Sequence, residues 1–145
     1  MKTYSISLLL LLVFAVSLCN CKPGTQKGKD GYTPPDSIVY KATPQGDLKM
    51  FFSYPADWSK KDQRSVIVYF SGGGWKGNSI GQFHRDAEYF AQRGLVTARA
   101  DYRVKNRHGT SPVECVKDAK SAIRWVRENA GMLGIDPGKI IAAGG

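Results

Sequence analysis

Ser65-Val66-Ile67-Val68-Tyr69-Phe70-Ser71-Gly72-Gly73-Gly74-Trp75-Lys76-Gly77-Asn78 is the stretch on which the fold turns. Val66 to Phe70 is an uncharged, β-branched and aromatic run, the composition of a strand covered on both faces. Three glycines follow directly. They remove every Cβ just past the strand's carboxyl end, permit positive φ, and let backbone N–H groups approach a ligand closely. In an open α/β sheet, ligands bind at that end of the strands. The loop alone admits three readings. Gly73 and Gly74 could direct N–H groups at the oxyanion of an acyl transfer, where one such donor contributes about 3–4 kcal/mol. Gly72-x-Gly74-x-x-Gly77 could be a dinucleotide fingerprint between strand and helix. It could also be a tight turn with no ligand.

The 145 residues suit one domain with a core of its own. The formal charge is +9, and residues 21–145 keep 20 Lys and Arg against 12 Asp and Glu. The cations are scattered, with no run beyond Lys60-Lys61 and no aromatic-interleaved stripe. A solvated basic surface accounts for them, and no nucleic-acid partner is expected. Cys19, Cys21 and Cys115 make neither a disulfide framework nor a metal site, and no metal or cofactor is expected.

The amino terminus reads as an export signal. Lys2 supplies the positive region, and Ile6 to Leu18 is an apolar segment shorter than the roughly 20 residues that span a bilayer. Leu18-Cys19-Asn20-Cys21 resembles a bacterial lipobox with Cys21 as the acylated residue, although Asn20 stands where Gly or Ala is usual. Cys19 as the modified residue, an ordinary signal and an uncleaved anchor are the alternatives. Acyl chains on Cys21 would add about 0.8 kcal/mol per buried CH₂ and tether the protein to a membrane at the cell envelope. Residues 22–36, rich in Lys, Gly and Pro, read as a flexible linker, which makes 37–145 the folded domain.

Ser37–Thr43 and Asp47–Tyr54 read as a hairpin closed by Pro44-Gln45-Gly46, and Pro55–Arg64 as a polar loop. Ser79-Ile80-Gly81-Gln82 has the capping-box pattern, so a helix is expected from Ser79 to Arg93 with Phe83, Ala87, Phe90 and Ala91 as its apolar stripe and Gly94 as its stop. This weakens the fingerprint reading, because Gly77 then precedes the helix instead of lying in its first turn. A strand over Leu95–Ala100 ends in Asp101-Tyr102-Arg103. Asp101 stands 24 residues past Gly77, near the spacing of a ribose-binding acid, yet an Asp–Arg pair bracing the loop is the preferred reading. Lys105–Thr110 reads as a basic surface loop. Ser111-Pro112-Val113-Glu114 opens a second capped helix, expected to run to Ala130 and stop at Gly131, with Val116, Ala119, Ile123, Val126 and Ala130 against the sheet and Cys115 and Trp125 bordering them. Lys139–Ala143 is a third buried strand, ending in Gly144-Gly145.

The order of hairpin, strand, Gly-Gly-Gly-Trp, helix, strand, Asp-Tyr-Arg, helix, strand and Gly-Gly resembles the first half of an α/β-hydrolase. In particular it resembles the hormone-sensitive-lipase-like and acetyl or feruloyl esterase (BD-FAE-like) group. Ser71-Gly72-Gly73-Gly74-Trp75 is similar to that group's His-Gly-Gly-Gly-Trp, with Ser71 in place of His, and Leu133-Gly134-Ile135-Asp136-Pro137 precedes the next strand as it does there. The resemblance covers about residues 38–145. It implies an α/β fold with an antiparallel hairpin and parallel strands. It implies oxyanion-hole amides at Gly73 and Gly74, and Gly144 and Gly145 opening a nucleophile elbow G-x-S-x-G whose serine would come immediately after Gly145. The substrate would be a small-molecule or carbohydrate-linked ester. In this fold the acid and the histidine follow the serine, so the chain as given is expected to be a catalytically incomplete amino-terminal fragment, with Lys139–Ala143 as an unpaired apolar edge. His84, His108 and Cys115 are not expected to serve as substitutes. A nucleotide-binding oxidoreductase fragment and a lipid-anchored module without catalysis are the rival classes.

Overall fold

In a computed structural model, the structure describes residues 36–145; the signal, Cys19, Cys21 and all but the last residue of the linker lie outside them. The hairpin forms as expected, from β1 (Ser37–Lys41) and β2 (Leu48–Ser53), paired antiparallel. Thr43 and Gly46 close it with a reciprocal pair of backbone hydrogen bonds, Gly46 taking φ +119°.

The strand that leads into the glycine loop is β3 (Arg64–Phe70), an interior strand of the sheet. It lies between β4 (Val96–Ala100) and β5 (Ile135–Gly144), parallel to both, while β2 pairs antiparallel with the far side of β4. The sheet order is β1-β2-β4-β3-β5. Side chains alternate across a strand, and β3 uses both faces. Val66 and Val68 pack into a core with Ala122 and Val126 of α3 (Pro112–Glu128), while Ile67 and Tyr69 pack on Ala87 of α1 (His84–Ala91). The two crossover helices therefore cover opposite faces, which explains the uncharged run seen in the sequence. β5 is at the edge of the sheet among the described residues, with Ile141 half exposed. Its first and later pairings with β3 differ in register, because Asp136–Lys139 bulges out between Ile135 and Ile140.

Four local expectations are corrected. The helix after the glycine loop starts at His84, and its N-cap position, Phe83, has no side-chain bond. Ser79 and Gln82 are drawn to the glycine loop instead: the Ser79 amide donates to Ser71 Oγ at 3.2 Å, and Gln82 Oε1 accepts from the Gly72 amide at 2.8 Å. The Gly72 amide thus takes the Gln82 side chain that a capping box would have used. Lys105–His108 is not an open loop but a short helix, α2, closed by Gly109 at φ +66°. The capping box at Ser111 and Glu114 forms with Pro112 in the first turn, but α3 ends at Glu128, and Gly131 lies inside a further turn, α4 (Ala130–Leu133), stopped by Gly134 at φ +63°. Finally, α3 is rotated from the expected stripe. Its buried side is Cys115, Asp118, Ala122 and Val126, and Val116 is exposed. The rotation brings the carboxylate of Asp118 inward, where Arg103 and Lys41 meet it. The stretch Pro55–Arg64 is a loop, but it carries Trp58 into the core, where Nε1 donates to the Leu133 carbonyl at 2.9 Å.

Candidate active site

The glycine loop leaves the carboxyl end of β3 and bends twice through left-handed backbone. Gly74 has φ +57° and Trp75 φ +60°, and the Lys76 amide donates to the Gly73 carbonyl at 3.1 Å. Positive φ at both central residues is the signature of a type I′ turn. Glycine is required at Gly73, where φ is +147° and an added Cβ would stand 2.1 Å from the Gly77 carbonyl oxygen.

The loop is tied down from three sides. The Tyr102 hydroxyl donates a short bond to the Ser71 carbonyl. Asn78 Nδ2 donates to Asp101 Oδ1 at 2.8 Å and to the Tyr102 carbonyl at 3.0 Å. The amides of Lys105 and Asn106 donate to the carbonyls of Trp75 and Lys76. Tyr102 is buried, and that burial raises its pKa, so the phenol keeps the proton this bond requires.

Asp101 braces the loop as expected, but its arginine is Arg107 and not Arg103 of the same motif, which pairs with Asp118. The Asp101 carboxylate is 2.6 Å from Arg107, and it also accepts from the Tyr102 amide. Behind it, Asp118 is fully buried and accepts from Lys41 Nζ at 2.6 Å and from Arg103 Nε, Nη2 and N at 2.8, 2.9 and 3.1 Å. Burial opposes its ionisation, but these bonds win and hold its pKa below the ordinary value. The Cys115 thiol donates to the Arg103 carbonyl at 2.8 Å, and burial raises its pKa, so it packs as a protonated thiol.

These ties frame a cleft of about 380 Å³ lined by Gly72–Trp75, Tyr102 and the terminal pair Gly144-Gly145. β5 brings Gly145 so close to the loop that a Cβ on Gly72 would stand 2.1 Å from the Gly145 carbonyl oxygen. The four glycines singled out in the sequence, Gly73, Gly74, Gly144 and Gly145, therefore share one cavity. Among the described residues, the amides of Gly73 and Gly74 donate no hydrogen bond. Two unpaired donors at a cleft wall can bind an oxyanion or carbonyl oxygen. His84 is exposed at the start of α1, and the Val104 amide donates to His108 Nδ1 at 3.0 Å; neither lines the cleft. Among the described residues, no group of three or more His, Cys, Asp and Glu side chains could hold a metal.

The geometry does not suit the dinucleotide reading. Gly77 belongs to the turn on Gly73, and the helix begins seven residues later, so no helix N-terminus faces the glycines. Asp101, the would-be ribose acid, is already occupied by Arg107, Asn78 and Tyr102. Sequence alone gives no role to Asn78 or Asp118, assigns Gln82 to a helix cap, and leaves the partner of Arg103 unidentified. Asp118 left a signal there, as a charge spaced three and four residues from Cys115 and Ala122.

Comparison with known proteins agrees with this geometry. The chain is 35% identical over 86 residues to Carboxylesterase NlhH of Mycobacterium tuberculosis, covering 58% of this chain and 26% of that protein. The propionate-bound structure of the thermophilic esterase Est2 of Thermogutta terrifontis superposes with a TM-score of 0.74 at 54% identity, over 75% of this chain and 40% of that one. The same esterase phosphorylated by paraoxon gives a TM-score of 0.73 at 53% identity, over 76% and 43%. The chain thus spans about a quarter of the curated relatives' length and under half of the solved esterases. The sequence model of the BD-FAE family matches residues 54–145, more than half of the chain. With this fold, this glycine loop and these relatives, the chain belongs to the BD-FAE family of α/β-hydrolase esterases.

Proposed function

We propose that this chain supplies the oxyanion-binding half of a serine carboxylesterase held at the cell envelope. The observation that carries the reading is that Gly73 and Gly74, whose amides have no acceptor among the described residues, line the same cleft as Gly144 and Gly145. In this reading the nucleophilic serine follows Gly145 in an elbow. A histidine takes the serine proton as Oγ attacks the ester carbonyl, and the oxyanion rests on the amides of Gly73, Gly74 and the residue after the serine. Collapse expels the alcohol with the histidine's proton, and water then releases the acid by the same route. The proposed substrates carry short acyl chains, a reading supported by the similar Thermogutta esterase, which was obtained with propionate and butyrate bound.

The test is the hydrolysis of nitrophenyl acetate to octanoate by the full-length gene product and its Gly73→Ala variant. Loss of one oxyanion donor's alignment is expected to lower kcat about 100- to 1,000-fold with the far-ultraviolet spectrum unchanged. A folded variant with near-native kcat refutes the assignment.

The envelope location rests on Lys2, Ile6–Leu18 and the lipobox-like Leu18–Cys21. Two acylation signals anchor a protein far more firmly than one. Metabolic labelling with a fatty acid should mark the wild type and not Cys21→Ser. Unchanged labelling of that variant, or none in the wild type, refutes Cys21 as the anchor.

A further inference from the structure

A second hollow, of about 460 Å³, lies across Trp75 from the cleft. Gly74 and Trp75 line both cavities; Lys76, Lys105, Thr110 and Ser111 are among the residues that line only the second. Trp75 is unusual in two respects. It holds a left-handed φ of +60°, which costs a residue with a side chain about 1–2 kcal/mol, and the residue is 55% exposed. A strained backbone that presents a large aromatic to solvent at the rim of a site is the mark of a contact surface.

The charge of the hollow has one sign. No carboxylate lines it, and neither Lys76 nor Lys105 is in an ion pair among the described residues. The acids of the flanking segments are engaged: Asp101 by Arg107, and Glu114 by the Ser111 amide and hydroxyl. Glu114 also offsets the positive start of α3, so the field in the hollow is that of the two lysines.

We propose that this hollow holds an anionic group, a carboxylate, on the non-reacting part of the ester. The scissile carbonyl lies over Gly73 and Gly74, and Trp75 supports the segment between them. The inference rests on the esterase reading and gives it a substrate class: esters that carry a free acid.

Two matched pairs test it with the full-length gene product at low ionic strength. Alcohol-side probes are 3-acetoxybenzoate and its methyl ester. Acyl-side probes are the nitrophenyl hemiester of glutarate and its methyl diester. Each rate is divided by that compound's alkaline hydrolysis rate. In one pair the anionic member should have a kcat/KM about five-fold higher, mainly through KM, given two exposed charge contacts. The preference should disappear in 0.5 M salt and in a Lys76→Glu/Lys105→Glu variant. Hydrolysis of the neutral members with no anionic preference in either pair overturns the proposal. If no ester is hydrolysed, it is the esterase reading that has failed. The hollow is then judged by Trp75 fluorescence, with Trp75→Phe as the blank: a response to benzoate exceeding that to benzyl alcohol supports it, and equal responses overturn it.

Discussion

Replacing Asp118 by Asn tests whether the corner behind the cleft is held by charge or by packing. The two side chains are nearly equal in volume, so no cavity opens. The native carboxylate is fully buried and takes four hydrogen bonds, one from Lys41 and three from Arg103. Asn offers a single acceptor oxygen, and its NH₂ must face donors. Lys41, 27% exposed, can turn to water, but the Arg103 side chain is only 11% exposed and keeps just Gln45 Oε1 at 3.1 Å. Breaking a buried pair by removing one charge costs about 3–5 kcal/mol, and the surviving bonds put this case near 3. In urea titrations at pH 7 followed by tryptophan fluorescence, the variant should unfold earlier by that amount with an unchanged slope.

The pH dependence of this loss follows from the lowered pKa of Asp118. A carboxylate whose pKa is depressed on folding contributes stability above its unfolded-state value, and loses it as pH falls through the folded value. The gap between wild type and variant should therefore stay constant down to roughly pH 4.5, since the ordinary pKa is 3.8, and close below that. A loss under about 1 kcal/mol, or a gap that persists unchanged at pH 3, would refute the reasoning.

Two further outcomes are expected. Tyr102→Phe removes the donor to the buried Ser71 carbonyl; an unpaired buried acceptor costs about 1–3 kcal/mol, and the loosened glycine loop should lower kcat for a short nitrophenyl ester more than it raises KM. Gly134→Ala puts a Cβ 2.3 Å from the Ser59 carbonyl oxygen and 2.8 Å from Trp58 Nε1 at a φ of +63°. A melting temperature at least about 5 °C lower is expected, and an unchanged one would show that this turn is not fixed.

The strands and the glycine loop were legible because one physical rule governs each of them. An uncharged β-branched run has to be covered on both faces, and glycines at a strand's end need a conformational or close-contact reason. The positions of Gly73, Gly74, Gly144 and Gly145 could be read for that reason. What was not legible depended on partners far along the chain. Ser79 and Gln82 carry a sound local capping signal, but the amides of Ser79 and Gly72 find better partners in Ser71 and Gln82 once β3 and α1 are packed. The stripe on α3 was misjudged because Asp118 counts as polar, and its burial makes sense only when Lys41 and Arg103, from two other elements, neutralise it. Trp58 sat in a polar-looking segment, and its place in the core is defined by Leu133, 75 residues away.

The sheet order also bears on how the protein is made. β3 is an interior strand, yet its partner β5 follows some 65 residues later in the chain, after β4 has already claimed the other side. During synthesis Val66–Tyr69 therefore waits as an open, uncharged strand edge, the kind of surface that pairs with other chains. Closing so long a loop is entropically slow. The cleft also requires Gly144 and Gly145, so it can assemble only after that closure. An edge left open for that long is the point at which misassembly with other chains would begin.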